Sequence, residues 1–137
     1  MTAPVPDLEV DWLVAGAGAG GMTGAVVAQL GGSVLVVEKE SVYGGTTAKS
    51  GGVAWIPGNH RQADVQVRDT AEEGYTYLKG LIGESVSDAR IRAYAERSSE
   101  MLSFMMQHSH VSYSALPHYM DYYERLPGYK KRWALHG

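Results

Sequence analysis

Three glycines and one carboxylate stand at separations that could do chemistry. Gly16, Gly18 and Gly21 occupy the G-x-G-x-x-G positions within Trp12-Leu13-Val14-Ala15-Gly16-Ala17-Gly18-Ala19-Gly20-Gly21-Met22-Thr23-Gly24-Ala25. In that pattern the first glycine turns the chain tightly, the second lets backbone approach a phosphate, and the third lets a helix pack closely on its strand. The helix that follows points its unpaired N–H groups, carrying about half a positive charge, at a diphosphate. Gly20 belongs to the same candidate cradle. Glu38 lies 17 residues after Gly21 and 22 after Gly16, bracketing the roughly 20 residues at which an acid meets an adenosine ribose hydroxyl. An acid there, where an Arg would accommodate a 2′-phosphate, favours an unphosphorylated ribose. The pattern predicts a dinucleotide site, and NAD and FAD both use it.

The stretch after Glu38 and Lys39 separates the two. A plain nicotinamide site needs no second cluster of glycines and hydroxyls directly after the acid. Here Gly44-Gly45-Thr46-Thr47 and Ser50-Gly51-Gly52 combine small side chains, backbone N–H groups and three hydroxyls. Such a loop approaches a flavin ring and its ribityl chain at little steric cost, so the reading shifts to FAD. The plainer role for Thr46, Thr47 and Ser50 is to cap turns.

The surrounding elements must position these groups. Asp11 to Ala15 and Ser33 to Glu38 read as strands without polar alternation, as expected when both faces of a parallel sheet are covered. Between them, Gly20 to Leu30 follows helical spacing, and Gly31-Gly32 predicts a left-handed stop. Strand, glycine turn, helix and strand fit the size of a βαβ unit. Val53 to Ile56 reads as a short strand closed by Pro57-Gly58. Thr70 with Glu73 forms a capping-box pattern, opening a helix with Ala71, Tyr75, Leu78, Leu81 and Ile82 on one face and Gly83 at its end. A second helix covers about Asp88 to Gln107, with a stripe of Ile91, Ala95, Ser98, Met101, Leu102 and Met105. Val111 to Tyr113 reads as a short strand, and 117–137 as an aromatic, Pro- and Gly-punctuated tail without a clear element.

The chain has 137 residues, 45% hydrophobic and 20% charged, with a net charge of −3. That suits one soluble domain and argues against a general nucleic-acid binder. The absence of cysteine removes disulfides, thiolate metal sites and a thiol nucleophile. The five histidines show no metal-ligand spacing, so no metal is expected. Lys130-Lys131-Arg132 reads as a solvated charge run. No apolar run reaches the roughly 20 residues of a membrane span, and no signal-peptide pattern opens the chain, so a cytoplasmic location is the expectation.

Several segments together resemble one known family. Val14 to Ala25, Val37-Glu38-Lys39, Tyr43-Gly44-Gly45-Thr46-Thr47-Ala48, Ser50-Gly51-Gly52-Val53, Trp55-Ile56-Pro57-Gly58-Asn59 and Tyr119-Met120-Asp121-Tyr122-Tyr123-Glu124-Arg125-Leu126-Pro127-Gly128 are similar to the FAD-dependent 3-ketosteroid dehydrogenases. These are relatives of the fumarate reductase and succinate dehydrogenase flavoproteins. The resemblance covers about residues 9 to 130. It implies FAD as cofactor, a 3-oxosteroid or similar hydrophobic substrate, and an external electron acceptor. It also implies removal of two hydrogens from adjacent ring carbons, the hydride going to flavin N5 and the proton to a tyrosinate. By resemblance the cofactor residues are Gly16, Gly18, Gly20, Gly21, Glu38, Lys39, Gly45, Thr46, Thr47, Ser50, Gly51 and Gly52. Tyr122 takes the role of a hydrogen-bonding helper that lowers the pKa of a second, basic tyrosine.

The fold expected is α/β: a Rossmann-like FAD-binding βαβ unit followed by helices, incomplete as a domain because two strands leave a doubly wound sheet uncovered. Its parts are a disordered lead-in over 1–8, the FAD unit and flavin loop over 9–60, and a helical segment with an aromatic tail over 61–137. The family's chains are several times longer, so the expected activity belongs to a larger flavoprotein, of which this would be the N-terminal portion, inactive alone. The alternatives are a fumarate reductase-like or Δ4-steroid flavoprotein, or a truncated, non-catalytic nucleotide-binding fragment.

Overall fold

The computed structural model describes residues 7–117, 119–130 and 135–136. The contacts divide the chain into two compact units, Met1–Gly51 and Gly52–Gly137. Most of the lead-in expected to be disordered, residues 1–6, lies outside the described residues.

The first unit is a βαβ fold. Strand β1 (Trp12–Ala15) pairs in parallel with β2 (Val34–Val37), Trp12 opposite Val34 and Ala15 opposite Val37. Helix α1 (Ala19–Ala28) crosses between them and packs on both. The strands are not buried on both faces as their composition predicts. Trp12 is 52% and Leu13 66% exposed, because one helix can cover only one face of a two-stranded sheet. The expected left-handed stop is also absent. Helix α1 ends at Ala28, Gln29 remains right-handed, and neither Gly31 nor Gly32 has a positive φ. Gly32 answers to crowding instead: a Cβ there would stand 2.6 Å from Asp11 Oδ2. That carboxylate accepts both the Ser33 amide and the Ser33 hydroxyl at 2.8 Å, and the bonds from Ser33 hold it below the usual carboxylate pKa range. The clasp fixes the start of both strands.

In the second unit, α2 (Ala71–Ile82) begins with the full capping box. Thr70 Oγ1 accepts the Glu73 amide at 3.2 Å and Glu73 Oε2 accepts the Thr70 amide at 3.0 Å. The face it buries differs from the predicted stripe. Gly74 and Tyr77 are the buried residues, while Leu81 is exposed. The helix lies so close to Pro57 that a Cβ on Gly74 would meet the proline ring at 2.4 Å, and this sets which side turns inward. Helix α3 (Asp88–His108) buries Ile91, Ala95, Ser98, Leu102 and Met105, as the spacing predicts, but leaves Met101 exposed.

A three-stranded antiparallel sheet completes the unit in the order β3-β5-β4, from β3 (Val53–Ala54), β4 (Ser114–Ala115) and β5 (Leu135–His136). The strand expected at Val111–Tyr113 therefore forms slightly later, at Ser114–Ala115, and the tail contributes a strand where none was predicted. Ile56, Leu102 and Leu135 make the core of this unit, with Ala54, Met106, Tyr113 and Ala115 packed against it.

Candidate functional site

The first unit places the sequence-predicted cradle at the head of α1. Gly16 sits at φ +96°, a conformation that disfavours side chains, and directs the chain from β1 into the helix. A Cβ on Gly21 would stand 1.9 Å from the Gly16 carbonyl oxygen. This is the close helix–strand packing expected of the third glycine. A Cβ at Gly16, Gly18 or Gly20 would meet nothing within 4 Å, so those positions border open space. Gly18 caps α1 without a side-chain hydrogen bond, and no acid occupies the first turn. The geometry fits a diphosphate seated on a helix N-terminus.

Glu38 is in place at the end of β2, and it already has structural work. Its Oε2 accepts the Ala17 amide at 2.7 Å and its Oε1 accepts the Glu40 amide at 3.1 Å. These bonds, Ala17 first, hold the carboxyl below its ordinary pKa. An ionised carboxylate has about four lone-pair sites, so both bonds leave capacity for a ribose hydroxyl. Glu38, Lys39, Gly16 and Gly45 line a cleft of about 660 Å³. Gly45 belongs to the cradle because its Cβ would lie 3.3 Å from the Gly18 Cα. Lys39 pairs loosely with Glu40 at 3.7 Å. Thr46 and Thr47 are exposed around a 3-10 turn, Thr47–Lys49, and the Ser50 hydroxyl donates to the Thr47 carbonyl at 2.8 Å. Gly51 is exposed at the end of this unit, and Gly52, with φ +72°, opens the next.

The second unit holds Tyr122 on the wall of an apolar cavity of about 360 Å³, with Trp55, Leu78, Tyr94, Tyr119 and Met120 among its lining. That lies within the roughly 300–1,000 Å³ of small-molecule sites. The Tyr122 side chain is exposed, and its hydroxyl lies 2.8 Å from the Tyr119 hydroxyl, ring edge to face. The hydrogen bond with Tyr122, with burial adding to it, pushes the Tyr119 ionisation above the ordinary tyrosine value. Tyr94 is raised likewise by burial.

Sequence reasoning missed the support beneath this pair. Trp55 Nε1 donates to Asp121 Oδ1 at 2.7 Å, and the Lys130 amide donates to Asp121 Oδ2 at 2.9 Å. Lys130 is no solvated charge: its Nζ pairs with Glu73 Oε1 at 2.7 Å. Lys131 and Arg132, the rest of that run, lie outside the described residues. The one available signal was an acid, Asp121, set directly before two tyrosines. Among the described residues, no group of three or more His, Asp or Glu is arranged to hold a metal ion. No helix there is long and apolar enough to cross a membrane.

With a parallel βαβ fold, an open glycine cradle and an acid at the second strand's end, the chain belongs to the FAD binding domain family, which it matches over residues 11–136. It is 49% identical over 121 residues to a 3-oxosteroid 1-dehydrogenase of Mycobacterium tuberculosis (strain ATCC 25618 / H37Rv), covering 88% of this chain and 22% of that protein. The 3-ketosteroid Δ1-dehydrogenase of Sterolibacterium denitrificans, solved in complex with 1,4-androstadiene-3,17-dione, superposes with a TM-score of 0.77 at 39% identity, covering 92% of this chain and 22% of that one. The 3-ketosteroid Δ4-(5α)-dehydrogenase of Rhodococcus jostii RHA1, in complex with 4-androstene-3,17-dione, superposes with a TM-score of 0.66 at 30% identity, over 77% of this chain and 22% of that one. The chain thus spans about a fifth of the length of the relatives it matches, and is homologous to the FAD-binding portion of 3-ketosteroid dehydrogenases.

Proposed function

We propose that this chain is the FAD-holding and tyrosine-bearing portion of a flavin-dependent 3-ketosteroid Δ1-dehydrogenase. The observation that carries the reading is the Tyr119–Tyr122 hydroxyl pair, 2.8 Å apart on the wall of an apolar cavity. An apolar wall suits a fused-ring substrate, and a tyrosine hydroxyl suits the proton half of a dehydrogenation. FAD, when bound, supplies the acceptor for the hydride half, and an external acceptor takes the electrons afterwards.

In this reading Gly16, Gly18, Gly20 and Gly21 present the α1 N-terminus to the diphosphate, and Glu38 accepts a ribose hydroxyl. Lys39, Gly45, Thr46, Thr47, Ser50, Gly51 and Gly52 serve the rest of the cofactor. Tyr119 donates its proton to Tyr122, leaving the Tyr122 proton free to donate to a second tyrosine outside these 137 residues. A tyrosine titrates near 10 unaided, so a basic tyrosinate at neutral pH needs such a donor. One ring C–H then leaves as hydride, its neighbour leaves as a proton to that tyrosinate, and a C=C bond forms between the two carbons.

The Δ1 reading takes support from the higher identity and coverage of the Δ1 relative than of the Δ4 relative. The test is anaerobic addition of 4-androstene-3,17-dione to the FAD-loaded flavoprotein that carries this segment in its full reading frame. Bleaching of the flavin with formation of the 1,4-diene is expected. A flavin that no 3-oxosteroid bleaches would sink the proposal.

A further inference from the structure

The hydroxyl pair sits at one end of a loop, residues 119–130, whose neck is closed at Asp121 through both its backbone and its side chain. The Asp121 amide donates to the Lys130 carbonyl at 3.3 Å, and Asp121 Oδ2 accepts the Lys130 amide at 2.9 Å. The other oxygen, Oδ1, accepts the Trp55 indole N–H at 2.7 Å. Trp55 is itself held: the Tyr94 hydroxyl donates to its carbonyl at 2.5 Å, and its ring stacks on Tyr94 at 6.5 Å and tilts against Tyr77 at 5.6 Å. Asp121 is 7% exposed, whereas Tyr122 beside it is 79% exposed. An exposed side chain that must keep a defined position depends on its backbone being fixed, and here the buried neighbour supplies the anchor.

We infer that Asp121 is a positioning residue for the Tyr119–Tyr122 pair, acting through its bridge between the Trp55 indole and the Lys130 amide. The chemistry calls for a carboxylate. Two N–H donors converge on Asp121 from different elements, so both of its oxygens must accept. Asparagine offers one accepting oxygen and turns an NH₂ group toward the second donor, and leucine offers neither. Other charged groups nearby have their own partners: Lys130 Nζ pairs with Glu73, and Asp69 accepts the Gly58 amide. The bridge therefore locks the first residues of the loop to the cavity wall formed by Trp55.

This inference rests on the function proposed above, and its test separates the two. The variants are Asp121→Asn, which removes one of the two acceptors, and Trp55→Phe, which removes the indole donor and keeps a ring. Tyrosine ionisation is followed by ultraviolet difference spectroscopy in the 137-residue chain, with Tyr119→Phe and Tyr122→Phe marking the pair's contribution and circular dichroism reporting the helices. The expected result is retained helix content with the Tyr119 midpoint moved down toward the ordinary tyrosine value of about 10. If Asp121→Asn fails to fold, Trp55→Phe carries the test. In the active flavoprotein, Trp55→Phe is expected to lower kcat roughly tenfold to a hundredfold, as misplacement of a reacting group does, and to shift the pH–rate profile. Titration curves superimposable on the unmodified chain, while the tyrosine variants alter them, would overturn the inference. A flavoprotein that bleaches with no steroid, beside altered titration curves, removes the proposed function but leaves the bridge.

Discussion

The Glu38 carboxylate accepts the Ala17 amide at 2.7 Å and so ties the end of β2 to the glycine turn leaving β1. The same group that would read the ribose thus shapes the turn that would hold the diphosphate. Glu38→Ala is expected to weaken FAD binding more than loss of one ribose contact would, because the turn loses its anchor too. Glu38→Gln retains an acceptor for only one of the two amides and should fall between. Titrating each variant with FAD and following flavin fluorescence checks this order. Equal affinity for Glu38→Ala and the unmodified chain would remove Glu38 from the site.

Gly21 offers a sharper test of the cradle. Its missing Cβ would stand 1.9 Å from the Gly16 carbonyl oxygen, a distance no small adjustment relieves. Gly21→Ala must push α1 away from the turn or unwind its first residues. FAD binding should fall at least tenfold. The second unit has its own core of Ile56, Leu102 and Leu135, so its unfolding transition should stay unchanged. Tryptophan fluorescence during urea unfolding, beside an FAD titration, reads both effects.

How far the sequence showed this arrangement depends on how local each cause is. The βαβ unit, the Thr70–Glu73 capping box and the Ile91–Leu102 stripe were legible because each is set by neighbours within a few turns of chain. The Trp55–Asp121 bond joins residues 66 positions apart, and no periodicity foretells which acid meets which indole. Gly32 read as a helix stop, but its smallness serves the Asp11 side chain pressed against it. Lys130 read as one of a basic run because its partner Glu73 lies 57 positions away. The two-residue strands at 114–115 and 135–136 are too short to carry an alternation, and pairing alone defines them. In the first unit, the apolar strands spoke correctly for a parallel sheet but could not say that their outer faces are open here.

Gly128 makes the loop's far side depend on α2. Its φ is +82°, and a Cβ would meet the Glu73 carbonyl oxygen at 2.5 Å and the Tyr77 amide nitrogen at 2.9 Å. Both neighbours are helix backbone, which yields little. Gly128→Ala combines a strained backbone conformation with overpacking, each costing about 1–3 kcal/mol. The second unit's urea midpoint should fall accordingly, and Lys130 should lose its hold on Glu73. An alanine variant of unchanged midpoint would show that the loop does not rest on the helix as described.

Asp69 gives the second unit a pH dependence of unusual sign. Its Oδ1 accepts the Gly58 amide at 3.0 Å and the Gln62 side-chain amide, while its Oδ2 is buried without a hydrogen-bond partner. Burial first, with the negative charges of Glu73 and Asp121 adding to it, raises its pKa from 3.8 to about 7, against the opposing Gly58 bond and Lys130 charge. The folded state therefore keeps a proton that the unfolded chain has released between those two values. Linkage makes stability fall as pH rises through that window and level off above about 7. Glu73, whose pKa is lowered chiefly by Lys130, loses its contribution only on acidification below the ordinary glutamate range, so it does not oppose the fall that Asp69 produces above about pH 5. Because Asp69 is only partly buried, solvent screening reduces the effect to about 1–2 kcal/mol. Asp69→Asn keeps one acceptor for the Gly58 amide and carries no charge to desolvate. It should flatten the slope and match or exceed the parent's stability at pH 8. Urea midpoints measured from pH 5 to 8 for both proteins check this, and a parent whose midpoint rises over that interval contradicts it.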